Sequence, residues 1–242
     1  MKIIVITGAS SGIGREFAKV LSKTVQADEM WLIARREEAL KETASLCVLP
    51  CRILPLDLTD RDAVSRFQAL LEAEKPEIAC LVNASGYGKF CAFQDVPLDT
   101  YRDMIALNDT SLVEMTYLCL PYMARGSAIY QMGSLSAFQP VPCINVYAAT
   151  KAFVLSFSRA LNVELKPKGI CVLCVCPGWV KTAFFGRADT HDGSVTYYNR
   201  FTTPEKVVKR AMYDMRRGKD VSIEGLSVRL QVLLTKLLPI RS

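Results

Sequence analysis

K-I-I-V-I-T-G-A-S-S-G-I-G runs from Lys2 to Gly14. It opens with a short β-branched run and breaks at Thr7 into a turn of glycines and serines. From about Ile13 to Ser22 the apolar residues take up helical spacing. Strand, glycine turn and helix therefore follow one another at the start of the chain. Gly8 allows a tight turn without a Cβ penalty. Gly12 and Gly14 would let a phosphate and the neighbouring strand come close to the backbone. A helix beginning here offers unpaired N–H groups and a positive dipole end to a pyrophosphate. The spacing is G-x3-G-x-G rather than G-x-G-x-x-G. Alone it also fits an ordinary strand–helix turn; as the first βα unit of an alternating chain it points to a dinucleotide.

The alternation continues outward from this stretch. Apolar runs at 30–34, 52–56, 78–83, 128–132 and 170–176 read as buried strands. Helical patterns separate them, including long helices predicted over 98–122 and 145–165. The expected fold is α/β, a doubly wound (Rossmann) parallel sheet with helices on both faces, in one domain over residues 1–242. Ligands of such sheets sit beyond the carboxyl ends of the strands, where strand order reverses.

Composition narrows the classes further. Half of the 242 residues are hydrophobic, enough for one sizeable core. Thirty basic against 24 acidic residues give a net charge of +6. This suits an anionic ligand but lacks the basic stripe of a nucleic-acid binder. No secretory leader is evident, and the nine cysteines read as reduced core residues of a cytoplasmic protein. Cys171, Cys174 and Cys176 lie in a continuous apolar run and read as strand rather than metal ligands, since no second cluster completes a site. Apolar residues at helical spacing over about 226–238 form a helix too short to span a bilayer. Docking on the chain itself or on a second subunit, a substrate wall and membrane-surface contact all remain open for it.

Two further patterns carry chemistry. The second strand ends M-W-L-I-A-R-R. An NAD site usually holds an acid about 20 residues past the glycines. Ala34 stands there instead, and Arg35 follows, whose planar fork can pair with a 2′-phosphate. This favours NADP(H) over NAD(H). In V-Y-A-A-T-K-A-F, Tyr147 and Lys151 are four apart and share a helix face. A cation beside a phenol favours the phenolate, so Lys151 is expected to lower the pKa of Tyr147. The small Ala148, Ala149 and Thr150 are expected to leave room for cofactor and substrate.

T-G-A-S-S-G-I-G together with Y-A-A-T-K resembles the short-chain dehydrogenase/reductase family in its classical form, over nearly the whole chain. The tail is similar to that of bacterial general oxidoreductases within it. The resemblance implies an enzyme moving a hydride between a nicotinamide and a carbonyl or secondary alcohol. It implies Asn108, Ser134, Tyr147 and Lys151 as catalytic residues. Tyr147 would exchange the proton, Ser134 (with Ser136 as rival) would orient the substrate oxygen, and Lys151 would also hold the ribose. Asn108 would hold a water linking Lys151 to solvent. For the cofactor it implies Gly8, Ser10, Ser11, Gly12, Ile13, Gly14, Arg35, Asp57, Leu58, Asn83, Gly86, Tyr147, Lys151, Pro177, Gly178, Val180 and Thr182. Asn83-Ala84-Ser85-Gly86 departs from the family's N-N-A-G, which weakens the claim for Asn83.

A substrate lid is expected over about 182–203, with Phe184, Phe185, Tyr197 and Tyr198 as apolar candidates and His191 as a specificity candidate. The substrate class is a hydrophobic ketone, aldehyde or hydroxysteroid-like ring. A homodimer or homotetramer is expected from the resemblance of the two long helices to subunit-pairing helices. The alternative is a catalytically silent dinucleotide-binding regulator.

Overall fold

The computed structural model describes residues 1–184, Ala188 and residues 201–237. Seven parallel strands form one sheet in the order β3-β2-β1-β4-β5-β6-β7. They are β1 (Lys2–Thr7), β2 (Glu29–Ala34), β3 (Cys51–Pro55), β4 (Glu77–Asn83), β5 (Ala128–Met132), β6 (Cys171–Val175) and the short β7 (Val221–Ser222). Strand order reverses between β1 and β4. This is the doubly wound α/β architecture expected from the alternating pattern.

Alternate residues of β1 feed two cores, as the two-residue strand period requires. Ile4 and Ile6 pack with Phe17 and Leu21 of α1 (Gly12–Thr24) and with Val207, Val208 and Ala211 of α7 (Pro204–Arg216). Ile3 and Val5 face the other layer. They pack there with Phe67 and Leu71 of α3 (Arg61–Glu74), Met115 of α5 (Ser111–Cys119) and Leu161 of α6 (Asn145–Leu165). Helix α2 (Glu37–Ala44) follows β2. Burial on both faces explains why the strands read as continuous apolar runs.

The long helix expected over 98–122 is not one regular α-helix. Helix α4 (Leu98–Ile105) passes into a π-turn, Ala106–Thr110, before α5 begins. A π-turn inserts one residue into the ladder and re-aims side chains, and such turns cluster at functional sites. The tail forms α8 (Leu226–Leu237) after β7. Among the described residues no helix is long and apolar enough to cross a membrane.

Candidate active site

The glycine turn is built by contact as much as by flexibility. Gly8 has φ +65°, and a Cβ on it would lie 2.5 Å from the Ala84 carbonyl oxygen. A Cβ on Gly14 would lie 2.3 Å from the Gly8 carbonyl oxygen. Any larger residue would push the turn, α1 and the end of β4 apart. Thr7 Oγ1 ties the two strand ends together by accepting from the N–H groups of Ala84 and Ser85 at 3.1 and 3.2 Å. Ser11 enters α1 in extended conformation and its side chain caps no N–H. The donors of the first turn are thus left for an anion.

A cavity of about 910 Å³ opens at the carboxyl ends of the strands, across the reversal point. Gly8, Ser10, Ser11, Gly12, Ile13 and Gly14 line it after β1. Arg35 lines it after β2, Asp57 and Leu58 after β3, and Gly86 after β4. Ser134, Tyr147 and Lys151 contribute from β5 and α6, and Pro177, Gly178, Val180 and Thr182 after β6. The volume is within the range of small-molecule and cofactor sites.

Arg35 Nη1 lies 3.5 Å from Asp57 Oδ2, with its side chain half exposed. Burial alone would raise the Asp57 carboxyl. Hydrogen bonds from the Thr59 N–H and hydroxyl, with the Arg35 charge, outweigh this and hold its pKa below the ordinary value. No acid stands at Ala34, which also lines the cavity. Turn and helix start together fit a dinucleotide, with Arg35 at the rim.

Tyr147 and Lys151 share one face of α6, with Lys151 Nζ 5.6 Å from the centre of the Tyr147 ring. Lys151 is buried and donates to the Met132 carbonyl at 2.9 Å. Burial pushes Tyr147 up to about 12, opposed by its hydrogen bond with Ser134. Burial pushes Lys151 down to about 8, opposed by the charge of Asp109. The expected lowering of Tyr147 by Lys151 is therefore corrected. The ammonium is held by a main-chain carbonyl beside the ring, and desolvation of the phenol dominates. Ser134 Oγ accepts from the Ser136 hydroxyl at 3.0 Å and from its N–H at 3.2 Å. Ser136 orients Ser134, and Ser134 is the one that reaches Tyr147.

Two residues of the expected set stand behind the cavity wall. Asn108 is fully buried in the π-turn. Its Oδ1 accepts from the Tyr87 N–H at 3.0 Å, and its Nδ2 donates to the Tyr87 carbonyl at 2.9 Å and to Thr150 Oγ1 at 3.0 Å. Both amide hydrogens are used, so the side chain clamps the loop after β4 to α6. Asn83 is also buried and does not line the cavity. Its Nδ2 donates to Thr116 Oγ1 and Gln131 Oε1, each at 3.0 Å, bracing β4 against β5 and α5. Its assignment to the cofactor is corrected on that geometry. Ala148, Ala149 and Thr150 likewise do not open the cofactor face. None of the three lines the cavity, and Thr150 is bound to Asn108.

The substrate side is more aromatic than the sequence alone revealed. Phe184 lies 5.6 Å from Tyr147 and 6.0 Å from Phe90, ring centre to ring centre, and Phe90 lies 5.8 Å from Trp179. Phe90 and Trp179 carry no motif, and only the folding of two loops towards one helix brings them together. Val228 and Gln231 of α8 close another wall, so one face of the tail helix is a cavity wall. Phe185, His191, Tyr197 and Tyr198 lie outside the described residues, as does most of the expected lid. Cys174 and Cys176 lie with sulfurs 3.5 Å apart in the core, and Cys171 is exposed.

A family profile described as short chain dehydrogenase matches residues 2–193. The chain is 31% identical over 230 residues to an uncharacterised oxidoreductase of Staphylococcus epidermidis, covering 94% of this chain and 96% of that one. It is 36% identical over 190 residues to a very-long-chain 3-oxoacyl-CoA reductase of Bos taurus, covering 74% of this chain and 59% of that one. A solved short-chain dehydrogenase from Sphingobium yanoikuyae in complex with NADPH superposes with a TM-score of 0.83 at 28% identity. That match covers 100% of this chain and 98% of that one.

Proposed function

The chain belongs to the short-chain dehydrogenase/reductase family, an NAD(P)-dependent oxidoreductase by membership, and we propose that it reduces a hydrophobic ketone or aldehyde with NADPH. Oxidation of the matching secondary alcohol is the same step reversed. The observation that carries this reading is the assembly of Ser134, Tyr147 and Lys151 on one cavity wall facing the glycine turn. When bound, the nicotinamide supplies the hydride.

Ser134 and Tyr147 meet the substrate oxygen and fix the carbonyl in place. Tyr147 holds its proton through neutral pH, since its pKa is pushed up to about 12. It is therefore poised as a donor to the alkoxide that forms as the carbonyl is reduced. The hydrogen bond from Ser134 is what offsets the cost of the phenolate left behind in a buried site, and Lys151 stands beside the ring on the same helix face. Arg35 supports NADPH, because its guanidinium lines the rim where an acid would otherwise hold a ribose hydroxyl.

Phe90, Trp179 and Phe184 support an apolar substrate, as does the very-long-chain 3-oxoacyl-CoA reductase among the relatives, while the NADPH complex supports the cofactor. Exposed Tyr117 on α5 and Phe153 and Val163 on α6 support a homodimer or homotetramer of single-domain chains. Initial rates with NADPH and NADH across a panel of ketones and aldehydes test the proposal. NADPH-dependent reduction of apolar members is expected. NADPH binding with no turnover of any member would make the protein a silent cofactor-binding regulator instead.

A further inference from the structure

Two side chains that do not line the cavity hold the glycine turn from behind. Arg15, in the first turn of α1, donates from Nη2 to the Ser10 carbonyl at 2.8 Å and from Nε to Thr43 Oγ1 at 3.0 Å. Thr43, in the last turn of α2, is fully buried. Its hydroxyl hydrogen is shared between the Ala9 carbonyl at 2.9 Å and the Ala39 carbonyl at 3.0 Å. Glu42 Oε2 accepts from Arg15 Nη2 at 3.0 Å and fixes the guanidinium from the solvent side. Docking of α2 does not require these bonds, because the buried Leu40 already packs it onto the core.

The consequence lies in the direction of two peptides. They are trans, and in a planar trans peptide the N–H points opposite to the C=O. Holding the Ala9 carbonyl therefore sets the Ser10 N–H, and holding the Ser10 carbonyl sets the Ser11 N–H. Both N–H groups are turned away from Arg15 and Thr43, and Ser10 and Ser11 line the cavity. No acceptor among the described residues takes either N–H. We propose that Arg15 and Thr43 are positioning residues for the cofactor, holding these two peptides so that their N–H groups meet a phosphate of the dinucleotide. The inference rests on the reading of the turn as a dinucleotide site. Donors oriented in advance need no ordering when the ligand arrives, which favours affinity. The planar fork of Arg15 is what reaches Ser10 and Thr43 together, which a lysine cannot do. Ser134 and Tyr147 stand on a different wall, so the chemical step does not depend on this network.

The test is binding of NADPH and of NADH by fluorescence, which needs no turnover, set beside kcat at saturating cofactor. Arg15→Met and Thr43→Val should each raise Kd for the preferred cofactor roughly tenfold, the effect of losing a hydrogen bond to a charged group or the bond it supports. The double variant should be little weaker than Arg15→Met alone, because the two act as one unit. Thr43→Ser should restore Kd to within about twofold, and kcat should stay within about twofold throughout. Arg15→Lys should bind as poorly as Arg15→Met. Nitrogen-15 amide resonances of Ser10 and Ser11 should shift in Thr43→Val before any cofactor is added. Arg15 is partly exposed, so Arg15→Met carries the test if Thr43→Val folds poorly. Wild-type affinity in Arg15→Lys would mean that charge alone matters, and kcat falling in step with affinity would mean a general loosening of the site. Either result overturns the inference. If wild type prefers NADH and the variants weaken NADH in this pattern, the NADPH reading fails and the positioning role stands.

Discussion

Replacing Arg35 with alanine should turn the cofactor preference towards NADH. A hydrogen bond to a charged partner contributes about 1.5–3 kcal/mol. The Arg35 side chain is 50% exposed, so solvent screening puts its contribution at the low end. About 1.5 kcal/mol corresponds to a roughly tenfold fall in kcat/KM for NADPH. A second effect adds to it. Arg35 is also the cation beside Asp57, at 3.5 Å, and removing it leaves that carboxylate facing the incoming phosphate. The loss should therefore exceed tenfold, and Arg35→Ala combined with Asp57→Asn should recover part of it. NADH, with no 2′-phosphate, should change less than about twofold. The assay is initial rate against cofactor concentration at fixed substrate and two salt concentrations, with the wild-type advantage shrinking at high salt. An unchanged NADPH-to-NADH ratio in Arg35→Ala would refute the use made of this residue.

Other outcomes follow from the same geometry. Gly8→Ala should destabilise the fold by at least about 1–3 kcal/mol, read by urea unfolding, because it forces a positive φ and meets the Ala84 carbonyl at 2.5 Å. Asp214 is buried against Arg210, Lys219 and the Ser222 hydroxyl, so Asp214→Ala should cost about 3–5 kcal/mol in the same experiment. Burial would raise the Asp214 carboxyl, but these partners outweigh it and hold its folded pKa below the unfolded value. Its stabilisation is thus complete above about pH 4 and is lost as pH falls through the folded pKa, which acid unfolding of wild type against Asp214→Asn would show. Reduction needs the Lys151 ammonium, so kcat should decline as pH rises past about 8, and a rate still rising at pH 9 would argue against that role.

The sheet was legible because its strands are buried on both faces and stand out as unbroken apolar runs. The glycine turn and the Tyr147–Lys151 pair were legible because each is local, a spacing of a few residues on one element. What escaped the sequence depends on long-range placement. The π-turn at Ala106–Thr110 has no compositional signature, and the residues around it fit an ordinary helix. Without it neither the clamp made by Asn108 nor the position of Asp109 can be inferred. Asn83 belongs to a motif-like stretch, yet its direction is set by β-strand alternation, which turns it towards Gln131 and Thr116. Phe90 and Trp179 meet only because the loops after β4 and β6 fold towards α6. The pKa of Tyr147 could not be judged from a neighbouring lysine alone, since burial depends on the whole cavity wall.

The central claim is that Tyr147 donates the proton in a reduction driven by NADPH. Its most direct measurement is single-turnover reduction by Tyr147→Phe, alongside NADPH binding followed by fluorescence. The phenol ring also packs against Phe90 and Phe184, and phenylalanine keeps that packing. Binding should stay within about twofold of wild type while turnover falls by at least about a hundredfold, the lower end of what general acid catalysis contributes. Turnover near the wild-type rate in Tyr147→Phe would contradict the account.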